Sequence, residues 1–405
     1  MDRYLILNKN IIGYWSVLWV VLASGSLYFQ YQRMPLTIVI LAITICIMIY
    51  FYKVASKRNM IRALVIISIG AINYLLTFSN GINVNDIIII SVELVFLVLL
   101  QSNMTLQEFK QKYVEIIVLE AVISLICFLW ADILGGTLPF QHWETGTIGS
   151  FNLTFYYTIG WGNIPKLGRN AGIFNEPGSH QIFLNFAILF LVSDVEHLGF
   201  KKKQYIISMI ILVLSVLTTQ STTGYMCLIL VLLSVHFMKN DGKASYGERK
   251  WLKYGSLLLL GIVFLIENTT HIISYKLEGG GSYTTRYNDT FSGLAVVLTR
   301  PLTGYGIYRL NRADAYSDYG IGNISNGFIS FAIGAGIIIA LLYLIFSFIG
   351  VSRQFKHGLV HSILIFIFFF LCINSEGGLL RPFYLVLFFL WKDELVSDYD
   401  ETLKG

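Results

Sequence analysis

The residues that could carry out chemistry gather in the stretch GRNAGIFNEPGSHQIFLN, residues 168–185, immediately before a long apolar run. Its chemically useful side chains are Arg169, Glu176 and His180. A guanidinium group holds phosphate well because its planar fork donates two parallel hydrogen bonds. A carboxylate or an imidazole beside a bound substrate can act as a general base. The stretch therefore predicts a site for a phosphate-bearing substrate, with Glu176 or His180 as the base.

The same residues also fit a purely structural role. Asn175 can cap the helix that follows, and Glu176 and Pro177 suit the first turn of that helix. A single histidine at the start of a helix is often a hydrogen-bonded structural residue. On the sequence alone, the catalytic and the structural interpretations both stay open.

Four more arginines lie in a second long segment between apolar runs, and one follows a late apolar run. They are Arg286, Arg300, Arg309, Arg312 and Arg381. Several arginines around one cavity favour a polyanionic substrate, and at a membrane surface a diphosphate is the natural candidate. Alternatively, they bind lipid headgroups or pair with nearby acidic residues. Those acidic residues are Glu278, Asp289, Asp314 and Asp318.

The composition places these side chains in a membrane protein. The chain is 55% hydrophobic and only 13% charged, with a mean hydropathy of +0.66. Soluble domains carry roughly a quarter charged residues. About twelve apolar runs are long enough to cross a bilayer. They are 11–30, 35–52, 60–78, 84–101, 114–135, 181–196, 204–219, 222–238, 254–270, 328–350, 358–373 and 378–391. The sequence thus predicts an all-α polytopic integral membrane bundle.

The basic residues predict how this bundle is oriented. Most of the 29 lysines and arginines fall in alternate loops, such as 53–62, 201–203 and 239–253. Basic loops remain cytoplasmic, so both termini are expected inside. The first apolar run is too long for a signal-peptide core, and we expect it to be retained. The net charge of +5 reflects these anchors, so we expect no nucleic-acid partner.

Two long segments, 136–180 and 271–327, are expected to be structured loops on the external face of a single membrane domain, 1–405. Within the second, an amphipathic helix is predicted over 286–299, after a glycine-rich hinge, EGGGSYTT. Its apolar face would carry Phe291, Leu294, Ala295 and Leu298 and would lie on the membrane surface or cap the bundle.

Ionisable residues inside predicted spans are costly and usually functional. Glu93 and Glu120 are two such residues. They could relay protons, bond neighbouring helices or line a cavity, and the sequence does not choose among these roles. The four cysteines all fall in predicted spans, without the spacing of a disulfide framework or a metal site.

Four motifs, taken in order, resemble a known family. They are GRNAGIFNEPGSHQIFLN (168–185), STTGYMCLILVLL (221–233), RPLTGYGIY (300–308) and SNGFISFAIGAGIIIALLYLI (325–345). Over roughly residues 165–350 the chain is similar to the Wzy-type polysaccharide polymerases and the related O-antigen ligases. The resemblance implies an enzyme of the bacterial cytoplasmic (inner) membrane that makes O-antigen, capsule or exopolysaccharide. Its substrates would be oligosaccharides on undecaprenyl diphosphate, joined at the outer face of that membrane.

The resemblance also implies roles for individual residues. Arg169 and Arg286 match external-loop arginines that would stabilise the departing diphosphate, and Glu176 would be the base. The predicted substrate-binding residues around them are His180, Arg300, Tyr305, Arg309, Arg312, Asn326 and Arg381. No cofactor, nucleotide sugar or metal is expected. The expected partners are the lipid-linked oligosaccharides, membrane lipid, a chain-length regulator and a flippase.

One departure bears on the choice within the family. The ligases carry histidines just before the asparagine that opens the span after the second large loop, whereas this chain reads NISNGF. That difference favours a polymerase over a ligase and leaves the identity of the base open. A flippase for the same lipid-linked sugars is the alternative from another class. Two long structured external loops and the lack of visible repeat halves count against it.

Overall fold

The computed structural model describes much of the chain and gives it a mainly helical fold. The described residues are 2–26, 42, 45–46, 57–77, 84–135, 142–145, 149–152, 156–159, 168–193, 200–238, 254–257, 261, 281–307, 324, 326–355 and 358–387. The helices are α1 (Asp2–Gly25), α2 (Lys57–Leu76), α3 (Val84–Asn103), α4 (Leu106–Phe128), α5 (Pro177–Ser193), α6 (Lys202–Thr218), α7 (Thr222–Ser234), α8 (Gly281–Thr299), α9 (Gly327–Ala335), α10 (Ile337–Gln354), α11 (Leu359–Ser375) and α12 (Pro382–Leu385). A π-helical turn, Leu129–Ile133, extends α4, and a 3₁₀ turn, Val235–Phe237, ends α7.

The apolar helices support a membrane protein, as the composition predicts. Within the described residues, three are long and apolar enough to cross a bilayer: Asn59–Leu76, Leu106–Ile133 and Ile337–Gln354. Shorter apolar helices are Asn10–Gly25, Ile87–Asn103, Pro177–Ser193, Thr222–Phe237 and Leu359–Ser375. Twelve spans are therefore not confirmed. Most of the predicted spans 35–52 and 254–270 lies outside the described residues.

Helix α5 forms the centre of the bundle. Its residues from Ser179 to Ser193 are all buried, and it packs against α4, α6 and α7. Gly224 lets the first turn of α7 approach closely, because a Cβ there would lie 2.9 Å from Cβ of Gln181. Asn185 then donates to the carbonyl of Gly224 at 3.2 Å. Helix α5, which begins within the stretch 168–185, is thus enclosed by α4, α6 and α7.

The bundle has two chemically different ends. At one end, Lys110 of α4 lies over the rings of Phe190 and Phe355, 5.5 and 4.9 Å from their centroids. These residues stand near the N-terminal end of α4 and the C-terminal ends of α5 and α10, next to several of the basic loops. The opposite end holds the first turn of α5. The positive-inside rule predicts that this second end faces the exterior.

A small sheet lies within the first large loop. Strands β1 (His142–Thr145), β2 (Gly149–Asn152), β3 (Tyr156–Ile159) and β4 (Arg169–Gly172) form a four-stranded antiparallel meander in chain order. An all-α class predicts no strands, so the sheet corrects that part of the fold class. Because β4 packs on α4 and α5, the loop is anchored to the bundle.

The predicted span 328–350 is not one helix, which is a second correction. It breaks at Gly336, whose φ is +83°, between α9 and α10. The turn after α8 packs into the break, where the N–H of Tyr305 donates to Ile333 at 2.8 Å. A Cβ on Gly304 (φ +63°) would lie 2.6 Å from the nitrogen of Gly336, so close backbone approach requires glycine.

Helix α8 also differs from its prediction. It begins at Gly281, inside the predicted hinge, and ends at Thr299. Its packed face carries Gly293, Val296 and Val297, whereas Phe291 is 58% and Leu298 is 69% exposed. The predicted apolar stripe therefore points away from the described protein, as a face in contact with lipid would.

Asn73 of α2 fastens the turn after α8 to the bundle. Its Nδ2 donates to Thr303 at 2.8 Å, and its Oδ1 accepts from the N–H of Ile307 at 3.0 Å. We expect Asn73→Ala to lower the free energy of unfolding by about 1–3 kcal/mol, because it leaves backbone groups without partners. Denaturant titration in detergent would measure the loss. Asn103→Ala, whose amide bonds within its own helix at Leu99, should cost less, and equal losses would contradict the bridging role.

Candidate functional site

Chain segments that are far apart in sequence meet at the N-terminal end of α5. The N–H of Asn175 donates to Gly25 at the end of α1 at 3.3 Å. A Cβ on Gly178 would overlap Oε1 of Glu376, and one on Gly327 would overlap the backbone oxygen of Glu376. The first turns of α5 and α9 thus surround the C-terminal end of α11. We call Glu176, Gly178, Asn326, Glu376 and Arg381 the junction.

Arg381 belongs to the junction through α1. Its Nη1 donates to the carbonyl of Ser24 at 2.7 Å, at a helix C-terminus where a cation is favoured. A turn closed by the N–H of Arg381 and the carbonyl of Gly378, 2.9 Å apart, brings this side chain back toward α1. Arg381 is therefore bonded to the end of α1 that also contacts Asn175, the residue two positions before α5.

Glu176 caps α5, a role predicted for Asn175. The carbonyl of Glu176 accepts from the N–H groups of Ser179 and His180, both at 3.0 Å, which makes Glu176 the N-cap and Pro177 the first helical residue. In the described part of the chain, Oδ1 of Asn175 has no hydrogen-bond partner. The prediction for Asn175 was wrong because its amide turns toward Glu176 instead, with Nδ2 3.4 Å from Oε1. The Glu176 carboxylate remains half-buried at the junction.

His180 is enclosed between α4 and β4. It is fully buried, with Nε2 3.0 Å from Oε2 of Glu120 and Nδ1 3.4 Å from the carbonyl of Asn170. The ring of Phe174 stacks on it at 5.3 Å between centroids. Both nitrogens are directed at protein groups, which favours the structural interpretation over substrate binding.

Glu120 links α4 to the loop through this pair. Its Oε1 accepts from the N–H of Ile173 at 3.3 Å while Oε2 meets His180. Gly172, with φ +54°, leaves room for both side chains, since any Cβ would overlap the carboxylate. Of the three roles open on the sequence, the structure gives Glu120 that of bonding neighbouring elements. The position of Glu93 is buried in α3.

Arg169 is the first residue of β4. Its Nε donates to the carbonyl of Thr219 at 3.1 Å, at the C-terminal end of α6. Gln220, with φ +48°, follows Thr219, and its Nε2 donates to the carbonyl of Gly168 at 3.0 Å. The side chain is half-buried, so a fixed arginine stands at the edge of the bundle rather than inside the junction.

The residues of the second large loop form another group. Arg300 lies over the ring of Tyr305, 4.8 Å from its centroid, and Thr299 is hydrogen-bonded to the hydroxyl of Tyr305 at 2.8 Å. Asn326 caps α9 by accepting from Ile329 and donates to Thr290 of α8 at 3.2 Å. This last bond connects α8 to the junction.

Some predicted site residues cannot be placed. Arg286 lies on α8, one turn before Thr290, and its side chain is outside the described part of the structure. Arg309 and Arg312 fall outside the described residues entirely. Their roles remain predictions.

Glu376 is the site residue that the sequence did not single out. It is only 8% exposed and stands in extended conformation directly after α11. The motif NSEGGLLRP shows a carboxylate followed by a glycine pair, a signal that the chain turns there. Its contact with Gly178 joins segments almost two hundred residues apart, which no local pattern predicts.

Comparisons of the chain with protein-family models, with curated proteins and with solved structures return no match. The function therefore has to be argued from the junction and from the chemistry of its side chains.

Proposed function

We propose that the protein is a glycosyltransferase that joins undecaprenyl-diphosphate-linked oligosaccharide repeat units into a surface polysaccharide. The observation that carries the proposal is the junction itself. The bundle gathers Glu176, Glu376 and Arg381 from separate segments at one end, and Arg169 is held on β4 at the edge of the bundle. Charged groups are costly in a membrane protein and usually serve function.

The junction suits transfer from a lipid diphosphate. When the anomeric carbon leaves the diphosphate, negative charge develops on the departing oxygen. Guanidinium groups held in place before the reaction, as Arg381 is by Ser24 and Arg169 by Thr219, stabilise that charge without reorganising. A carboxylate takes the proton of the acceptor hydroxyl, and the hydroxyl oxygen forms the new glycosidic bond.

The location of the junction agrees with this chemistry. It lies at the end of the bundle away from Lys110, the end that the positive-inside rule assigns to the exterior. We place the reaction at the outer face of the bacterial cytoplasmic membrane, with both termini in the cytoplasm. The exposed stripe on α8, Phe291 with Leu294 and Leu298, would rest on lipid beside the site.

The decisive experiment uses the full-length protein in lipid vesicles with undecaprenyl-diphosphate-linked repeat units from the native host. Polymerisation predicts a ladder of products that grow by one repeat while free undecaprenyl diphosphate is released. Transfer of finished chains to a different acceptor, without lengthening, would replace the polymerase by a ligase. Movement of the repeat units across the vesicle membrane, without new glycosidic bonds, would replace it by a flippase.

A further inference from the structure

The surroundings of Glu376 suit a carboxylate that accepts and releases a proton. Its carboxylate occupies the space that the missing side chain of Gly178 leaves open on the first turn of α5. A helix N-terminus is a favourable location for a nearby negative charge. The backbone of Glu376 is fixed by the close approach of Gly327 on α9. The side chain is therefore both positioned and largely shielded from bulk water.

A second observation, one helical turn further along α5, points to a ligand. Gln181 lies three residues after Gly178, so both belong to the same helix face. Gln181 is fully buried, and its Nε2 has no hydrogen-bond partner among the described residues. Its Oε1 already accepts from Asn185 at 3.1 Å, which turns Nε2 away from Asn185. Glu376 contacts Gly178, so this unpaired donor lies within about one helical turn of the residue that Glu376 contacts.

Neighbouring hydroxyl groups are unsatisfied too. Oγ of Ser179 on α5 and Oγ1 of Thr222 on α7 also lack partners within the described part of the molecule. Buried polar groups are nearly always hydrogen-bonded, and a bound ligand with hydroxyl groups would satisfy these three. A sugar supplies hydroxyl groups that both donate and accept, whereas a diphosphate would call for guanidinium groups.

We propose that Glu376, and not Glu176, accepts the proton of the attacking sugar hydroxyl, and that Gln181 positions the acceptor sugar beside it. This inference rests on the proposed function. In the transfer, the hydroxyl proton moves to the Glu376 carboxylate and the hydroxyl oxygen bonds to the anomeric carbon. The bond from that carbon to the diphosphate breaks, and its electron pair leaves with undecaprenyl diphosphate. The protonated Glu376 then releases its proton to water.

The test compares variants of the full-length protein in vesicles that contain lipid-linked repeat units. Glu376→Gln should slow chain lengthening by about 100-fold or more, because general-base catalysis contributes that much. Glu176→Gln should also slow chain lengthening less, and its rate should stay at least about tenfold higher than that of Glu376→Gln. Glu115→Gln, at a carboxylate bonded to Tyr14 away from the junction, is the matched control and should resemble wild type.

Chemical rescue separates a proton acceptor from a structural residue. Glu376→Ala should be nearly inactive, and added formate should restore part of its rate, since a small carboxylate can occupy the vacated position. Formate should not restore Glu176→Ala. Rescue compares the rate of the same sample with and without formate, so it remains informative even if part of the variant is unfolded.

The outcomes distinguish the two levels of the proposal. If wild type makes no new glycosidic bond, the proposed function fails, and the role of Glu376 fails with it. If wild type polymerises but Glu376→Gln keeps its rate within about threefold, or formate rescues only Glu176→Ala, the assignment to Glu376 is overturned while the function stands.

Discussion

Arg169→Ala is expected to reduce chain lengthening by about 100- to 1,000-fold, the usual effect of removing one preorganised donor from a developing negative charge. The guanidinium is fixed by its bond to Thr219, so under the proposed function it would meet the leaving diphosphate without first losing side-chain freedom. Single-turnover lengthening in vesicles would measure the loss. Arg169→Lys should recover only part of the rate, because an ammonium keeps the charge but loses the planar fork.

The matched control for Arg169 is an arginine at the opposite end of the bundle. Arg353 lies in the last turn of α10 and is exposed. Arg353→Ala should keep near-wild-type activity at equal protein levels. Equal loss of activity in the two alanine variants would show that the effect is not specific to Arg169. An Arg169→Ala rate within about threefold of wild type would show that Arg169 does not act on the substrate.

Glu120→Ala is expected to lower the free energy of unfolding by about 3–5 kcal/mol, because it breaks a buried pair and leaves His180 without its partner. The pair joins α4 to the first turn of α5, and the Glu120 carboxylate also holds the N–H of Ile173. Denaturant titration in detergent would measure the change.

A double-mutant cycle with His180→Ala isolates this interaction. If the two side chains act together, the double variant should be much less destabilised than the sum of the single variants. Additive losses would contradict the pairing. Because the pair holds β4 in place, we expect chain lengthening to fall in parallel with the folded fraction, and not beyond it.

Much of the helical architecture was readable from local patterns. Apolar runs of membrane-spanning length predicted α2, α3, α6 and α7 to within a few residues, because each such run must satisfy its backbone hydrogen bonds internally. Pro177 correctly marked the first residue of α5. The N-cap was not predicted correctly: the sequence favoured Asn175, whereas Glu176 is the N-cap because the amide of Asn175 turns toward Glu176.

The break at Gly336 shows where local patterns stop being informative. Residues 328–350 read as one apolar helix, and glycines occur in unbroken membrane helices too. The break follows from the backbone of the turn at Gly304, which packs between α9 and α10 and leaves no room for a Cβ. The strands were missed for a related reason, since short strands in a polar loop are stabilised by pairing with one another and by the bundle beneath β4.

The sequence by itself determined that this is a mainly helical membrane protein, since the composition and the lengths of the apolar runs can be read along the chain. It also supplied Arg169, Glu176 and Arg381 as candidates. Only the tertiary structure decided that His180 is paired with Glu120 and that Glu376 stands at the first turn of α5. Both contacts join distant segments, and they arise from packing that brings those segments together and not from any residue's own neighbours in sequence.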